Sequence, residues 1–170
     1  MDGSLLLYVA DNRLGIPETL VQSHDELRAA LANASTIPGA LGLAASELME
    51  MCLMHFTQEE EGAFRVFGML HDVMAERVRP GAATVQPMLA DLRDFRDDSR
   101  DQHRILDHAL ATLRQCALEQ KDVTIAKLAH SLQYHEKYEE NVVYPTLHLI
   151  EESLRLIFVD AGAPPAGIRR

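Results

Sequence analysis

A motif of one histidine, three further residues and two consecutive acidic residues occurs twice in the chain. It reads HFTQEEEGAF from His55 and HEKYEENVVY from His135, so the second copy starts 80 residues after the first. A lone histidine precedes each copy by 31 or 32 residues, at His24 and His103. Such a duplication predicts two copies of one helix pair, packed so that matching side chains meet in one core.

The rest of the sequence favours an all-α fold. Apolar residues recur at three- and four-residue spacing between sparse Pro and Gly residues. The pattern predicts four helices. The first spans about Pro17–Asn33, and the second begins near Leu41–Ala44 and ends at about Arg79. The third spans about Thr84–Glu119, and the fourth begins after Gln120–Asp122 and ends at about Phe158, with an interruption at Pro145. The fourth helix is expected to bury Leu128, Leu132 and Val142. Only LLLYV, near the N-terminus, has strand character.

We therefore predict an antiparallel up-down-up-down four-helix bundle with long second and third helices. The bundle is expected to span residues 17–158, with residues 1–16 as an N-terminal extension packed on it and residues 159–170 as a flexible tail. The second and third helices extend beyond the level of the histidines towards Pro80. That end is either a surface for a homodimer or another partner, or is covered by residues 1–16 and the C-terminal helix.

The helix breaks set the height of each histidine in the bundle. In an antiparallel hairpin, residues at equal distance from the turn lie at the same level. The midpoint of His24 and His55 falls in the Pro38-Gly39 break, and that of His103 and His135 falls beside Gln120-Lys121. The midpoint between the second and third helices falls at Pro80. The residues predicted at one level are His24, His55, Glu59, His103, His135 and Glu139.

This set of residues indicates a metal site. A His and a Glu four residues apart share a helix face, and imidazole with carboxylate suits iron, manganese or zinc. Two symmetric copies predict two metal ions, each with two His, bridged by Glu59 and Glu139. Burying six such groups without a metal would be costly. The chain lacks the Glu-x-x-His pattern of ferritin-like sites, HExxH, a Gly-rich phosphate loop and GxSxG.

The remaining candidate residues are expected to have ordinary roles. Helical phase selects Glu59 and Glu139 as the inward members of their acidic runs, which leaves other members of the runs in solvent. The four other histidines are expected to be solvated or to support the ligands; they are His71, His108, His130 and His148. Cys52 and Cys116 are interpreted as small buried apolar residues.

Composition excludes several functions. A net charge of −10 argues against nucleic-acid binding. The longest uncharged run contains Pro and Gly and is not a membrane span, and the N-terminus lacks a basic region typical of a signal peptide. The expected location is the cytoplasm.

The combined pattern resembles the hemerythrin-like, or HHE cation-binding, family. The matching motifs are a histidine in helices 1 and 3 and His-x3-Glu in helices 2 and 4, followed here by Tyr144-Pro145. The resemblance implies a non-haem di-iron centre with an oxo or hydroxo bridge, for which zinc or manganese could substitute. It implies a protein that binds, senses or reduces a small oxidant, namely oxygen, nitric oxide or peroxide.

The chain departs from the oxygen-carrying hemerythrins, whose third helix has His-x3-His and whose last ligand is the Asp of His-x4-Asp. Here Asp107 follows His103 by four residues and His108 by five, so either is a candidate extra ligand. The departure leaves open whether the protein is an enzyme acting on peroxide or nitric oxide or a binding protein. Two alternatives remain: iron storage, delivery or iron-centre repair, and a helical interaction module with a structural or vestigial metal site.

Overall fold

The computed structural model of the chain describes residues 15–74 and 82–156, and it forms helices without any strand in those ranges. LLLYV, most of the predicted extension 1–16, the Pro80-Gly81 break and the tail 159–170 lie outside the described residues. The helices are α1 (Glu18–Ser35), α2 (Ala40–Gln58), a π-helical turn π1 (Glu59–Ala63), α3 (Arg65–Met74), α4 (Ala82–Gln120), α5 (Val123–Tyr138), a second π-helical turn π2 (Glu139–Val143) and α6 (Tyr144–Leu154).

These elements build the four predicted helical segments. The second segment is α2, π1 and α3 in succession, and the fourth is α5, π2 and α6. Helix α1 packs on α2 and on α5, α2 packs on α4, and α4 packs on α5. The arrangement is consistent with a helical bundle.

Short connections join the first two and the last two segments. Gly39 adopts a φ of 91° at the start of α2, a backbone conformation that residues with a side chain rarely adopt. Gly42 lies so close to the carbonyl of Ile37 that a Cβ atom would clash with it. At the other connection, Asp122 caps α5 by accepting hydrogen bonds from the backbone N–H groups of Thr124 and Ile125, at 2.9 and 3.0 Å.

Two apolar cores lie along the segments, one on each side of the predicted ligand level. The connection-end core lies towards the two short connections, and its members include Leu31, Leu41, Leu48, Leu113 and Leu132. The far-end core includes Ile16, Leu20, Phe64, Leu92, Leu147 and Leu154. The first and third segments contribute leucines at three- and four-residue spacing to these cores; the buried ones include Leu20, Leu27, Leu31, Leu106, Leu110 and Leu113.

The prediction for the fourth helix is wrong at one position. Val142 is 45% exposed, whereas Val143 is buried in the far-end core. The reason is π2, which accommodates an extra residue in its turn. The α-helical period assumed from the sequence does not include that residue. Within the described parts of the chain, no helix combines the length and apolar character that a membrane crossing requires.

Candidate metal centre

The six predicted ligands converge at one level between the two cores. Their side chains come from α1 (His24), α2 (His55), π1 (Glu59), α4 (His103), α5 (His135) and π2 (Glu139). All six residues are buried, and Glu59, Glu139 and His24 are fully so. Each histidine has its Nε2 atom 2.9–3.8 Å from an oxygen of Glu139.

Two groups of three residues in the described chain have atoms placed to hold a cation. The first group is His24, His135 and Glu139, and the second is His55, His103 and Glu139; the ligand atoms of each lie within 4.8 Å of one another. Glu139 belongs to both. Its Oε1 is 2.9 Å from His135 Nε2 in the first group, and its Oε2 is 3.6 Å from His103 Nε2 in the second. Each group therefore takes one histidine from each half of the repeat, a pairing that the spacing did not specify.

Glu59 faces both groups from the opposite half of the repeat. Its Oε2 lies 3.3 Å from His24 Nε2 and 3.6 Å from His55 Nε2. Its other oxygen, Oε1, accepts a hydrogen bond of 2.8 Å from the hydroxyl of Tyr144. One carboxylate from each π-helical turn thus lies between the two pairs of histidines, as a bridging role would require.

A second set of polar residues holds the outer nitrogen of each histidine ring. The Nδ1 atoms lie against Ser23 Oγ (His135, 3.1 Å), Glu60 Oε1 (His24, 2.8 Å), Gln102 Oε1 (His55, 2.9 Å) and Glu140 Oε1 (His103, 3.3 Å). A carboxylate or amide oxygen only accepts, so Nδ1 of His24, His55 and His103 donates. The neutral rings then direct the Nε2 lone pair inward, which is the tautomer that metal ligation requires.

The π-helical turns explain why the sequence did not indicate these supporting residues. Glu60 is one of the acidic residues that helical phase would turn towards solvent, but it is 4% exposed and Arg28 donates to it at 2.9 Å. The local π geometry brings Glu59 and Glu60 inward together, while Glu61 stays exposed. Glu140 is half-buried in the equivalent turn and pairs with Lys137 at 2.7 Å. Two adjacent acidic residues at the same place in each repeat were the only available signal.

The structure does not bring the two additional candidate ligands into the cluster. Asp107 and His108 are both exposed, and neither is a member of the two groups. His130 and His148 are exposed as well, whereas the side chain of His71 lies outside what the structure describes. Of the cysteines, Cys52 is buried and Cys116 is partly buried, and both are free thiols. Burial, with the charges of nearby carboxylates, raises the pKa of the Cys52 thiol to about 12.

Burial gives the two central carboxyl groups opposite protonation preferences. Complete burial, reinforced by the charge of Glu139, raises the pKa of Glu59 well above its usual value. Burial also opposes ionisation of Glu139, but the hydrogen bonds that the surrounding histidines donate from Nε2 when they are protonated outweigh it and lower its pKa. Burial favours neutral His55, yet Glu59 and Glu139 together raise its pKa to about 9. Without a cation, the cluster thus depends on protons to balance its charge.

Unpartnered polar atoms support a cation at this position. Among the described residues, four buried side-chain atoms have no hydrogen-bond partner, and three belong to the cluster: Glu59 Oε2, His135 Nε2 and Glu139 Oε2. An unpaired buried polar atom costs about 1–3 kcal/mol. In addition, the Nε2 atoms of His55 and His103 lie 3.1 Å apart, a contact that needs a proton on one of them while no cation is bound. The donor set, its tautomers and its unpartnered atoms all fit a bound cation.

Aromatic rings enclose the cluster on one side. The His24 ring stacks on Phe56, with ring centroids 4.1 Å apart and planes inclined by 11°. Two cavities reach residues of the cluster from other directions. One of about 540 Å³ reaches His103 and Tyr144 between α4 and α6, and one of about 780 Å³ reaches His135 and Ser23 between α1 and α5.

The helical fold and the buried His/Glu cluster define a cation-binding helical domain. Comparison with known families agrees: the profile of the Hemerythrin HHE cation binding domain matches residues 15–147. The chain belongs to this family. No curated protein and no solved structure matches it.

Proposed function

We propose that the protein is a non-haem di-iron protein that binds, senses or reduces a small oxidant such as oxygen, nitric oxide or peroxide. The observation that carries the proposal is Glu139, whose two oxygens belong to two different ligand groups. Glu59 faces the same two groups from the opposite side. Two bridging carboxylates suit a pair of ions better than a single one. We also propose that consecutive segments run antiparallel, because the connections between the first two segments and between the last two are short.

Iron is the proposed metal because the ligands are imidazoles and carboxylates, with no thiolate among them. When bound, iron would supply one-electron redox chemistry and coordination positions that the protein leaves open. The residues of the chain then have separate tasks. The oxygens of Glu60, Gln102 and Glu140 orient three of the rings through Nδ1. Tyr144 donates its hydroxyl proton to Glu59 Oε1 at 2.8 Å, and its oxygen lies 3.0 Å from His103 Nε2.

Metal analysis with an optical spectrum tests the proposal. Protein purified without a His tag should retain two iron ions per chain and, after oxidation, show the near-ultraviolet bands typical of a ferric pair. His55→Ala should reduce iron retention and change these bands. His130→Ala is the matched control, because His130 is exposed and outside both groups. Fewer than two ions per chain in the unmodified protein, or an unchanged spectrum in His55→Ala, would contradict the proposal.

The same preparation distinguishes the alternatives. Iron that passes readily to a chelator or apo-protein acceptor, without peroxide turnover, would instead indicate iron handling. A metal-free protein with unchanged thermal stability would indicate an interaction module with a vestigial site.

A further inference from the structure

The cavity between α4 and α6 has the dimensions of a site for an organic molecule. Its volume of about 540 Å³ lies in the range of small-molecule pockets, about 300–1,000 Å³, and is far larger than a diatomic gas needs. Its walls are mainly apolar and include Leu92, Phe95 and Leu147. Its inner end is formed by His103 and Tyr144, so whatever fills it lies beside the second ligand group.

The charged residues around this cavity leave one positive charge uncompensated. Glu151 is buried and accepts a hydrogen bond of 3.0 Å from Arg96. Glu140 pairs with Lys137 at 2.7 Å. The remaining charged lining residue is Arg100, which is exposed at the mouth and forms no ion pair within the described parts of the chain. Each lining carboxylate is therefore matched by a cation, and Arg100 remains to attract an anion.

From this arrangement we propose that the cavity binds a small amphiphilic monoanion, with an apolar body and one acidic group. The acidic group pairs with Arg100 at the mouth. The apolar body lies along Phe95 and Leu147, and its far end meets the Tyr144 ring beside His103. The inference deepens the proposed function, on which it rests, by naming the class of molecule that approaches the metal site from this side.

The second cavity does not offer the same combination. It lies between α1 and α5, and its lining includes Glu26, Lys127, Tyr134 and Tyr138. Its lining is more polar, and the Glu26 carboxylate is hydrogen-bonded to the neutral Gln22 and forms no ion pair within the described residues, so its negative charge opposes an anion. An apolar anion is thus expected to prefer the cavity that ends at Tyr144.

Octanoate is a suitable probe, and zinc-loaded protein is a suitable form because zinc has no redox chemistry. Isothermal titration should detect one octanoate per chain. Arg100→Gln should weaken binding about two- to fivefold at low salt, as expected for an exposed ion pair, and added salt should reduce the difference. Arg104→Gln is the matched control, since Arg104 lies one turn further along α4 and pairs with Asp101 outside the cavity.

A second variant tests the location independently of charge. Ser99 is buried and lines the cavity, so Ser99→Leu should place its larger side chain in the binding space and weaken octanoate at least tenfold. Should that variant not fold, nuclear Overhauser contacts between octanoate methylenes and the Phe95 ring in the unmodified protein give the same information. No binding at millimolar octanoate, equal effects of Arg100→Gln and Arg104→Gln, unchanged binding in folded Ser99→Leu, or no contact with Phe95 would each overturn the proposal.

The experiment separates this inference from the proposed function. Octanoate binding is also measured on the metal-free protein, and iron content and spectrum are measured without octanoate. Binding that persists in a protein unable to hold two irons refutes the di-iron function and retains the cavity. A protein with two irons and no octanoate site refutes the cavity alone.

Discussion

Glu60 provides a direct test of how the histidines are positioned. Its Oε1 lies 2.8 Å from His24 Nδ1 and accepts from Arg28 at 2.9 Å. Glu60→Ala removes the acceptor that orients the His24 ring but leaves all six proposed ligands in place. Glu60→Gln restores a neutral acceptor oxygen of similar shape.

We expect Glu60→Ala to lower the affinity for only one of the two metal ions. Loss of a residue that supports a ligand typically costs 10–100-fold in metal affinity, or about 1.4–2.7 kcal/mol. His24 belongs to the first group, whereas the second group contains His55 and His103, which have other partners. Glu60→Ala should therefore weaken one of two bound ions by about 10–100-fold. Glu60→Gln should recover part of this loss, because a neutral hydrogen bond is about half as strong as a charge-assisted one.

A chelator competition on zinc-loaded protein measures the two affinities. The unmodified protein and the control Glu61→Ala, which alters an exposed residue of the same π turn, should release both ions over a similar range of chelator concentration. Glu60→Ala should release one ion early. Thermal unfolding of the metal-free forms accounts for any loss due to Arg28, which retains Asp25 as a partner. Equal weakening of both ions, or a Glu61→Ala effect as large as that of Glu60→Ala, would refute the positioning role.

Three further predictions concern stability. Leu113→Ala should lower the unfolding free energy by about 2–5 kcal/mol, because this fully buried side chain leaves a cavity in the connection-end core. Asp122→Ala should cost about 1 kcal/mol through loss of the α5 cap. Burial, together with the nearby carboxylate of Asp107, raises the pKa of Glu136 from 4.5 to about 8. The folded state then binds more protons than the unfolded state between these values, so stability should fall by up to about 1.4 kcal/mol per pH unit as pH rises. Glu136→Gln should remove this slope. Urea denaturation measures all three, the last at pH 5 and pH 8.

Each of these predictions has a contrary outcome. A Leu113→Ala cost no larger than that of Leu118→Ala, an exposed leucine of the same helix, would show that the core at this position collapses around the gap. Equal stability of Asp122→Ala and the unmodified chain would remove the capping argument. A Glu136→Gln protein with the original pH slope between pH 5 and pH 8 would place the proton on another group.

The sequence was sufficient to predict that six particular side chains would meet. That prediction depended on equal distances from helix breaks, and those distances are little affected by local details of helix geometry. The resemblance to the HHE family, carried by the same residues, is confirmed by the family match over residues 15–147. The all-α class was predicted from the three- and four-residue spacing of the apolar residues. The identity of the metal and the roles of the ligands stay predictions.

The burial of Glu60 and of Val143 was not predicted, because the helices depart from α geometry at these residues. Periodicity assumes 3.6 residues per turn, but π1 and π2 each accommodate an additional residue directly after a His-x3 spacing. Because of this departure, Glu60 points inward, and Val143 instead of Val142 is buried in the core. The pairing of His24 with His135, rather than with His55, depends on which segments are neighbours in space, and spacing along the chain does not contain that information.

The turn π2 also has a consequence for how this chain tolerates length changes. Asn141 is an exposed residue within the turn. Deleting it would let the segment straighten into a continuous α-helix, a locally favourable change. Because π2 holds one residue more than α-helical geometry would, removing that residue leaves α6 at nearly its present rotation about the helix axis. Leu147, Ile150 and Leu154 would stay in the far-end core, and His135 would stay in place. Glu140 would instead turn away from His103 Nδ1, which its Oε1 now contacts at 3.3 Å. The extra residue therefore serves the orientation of a proposed ligand and not the packing of the core.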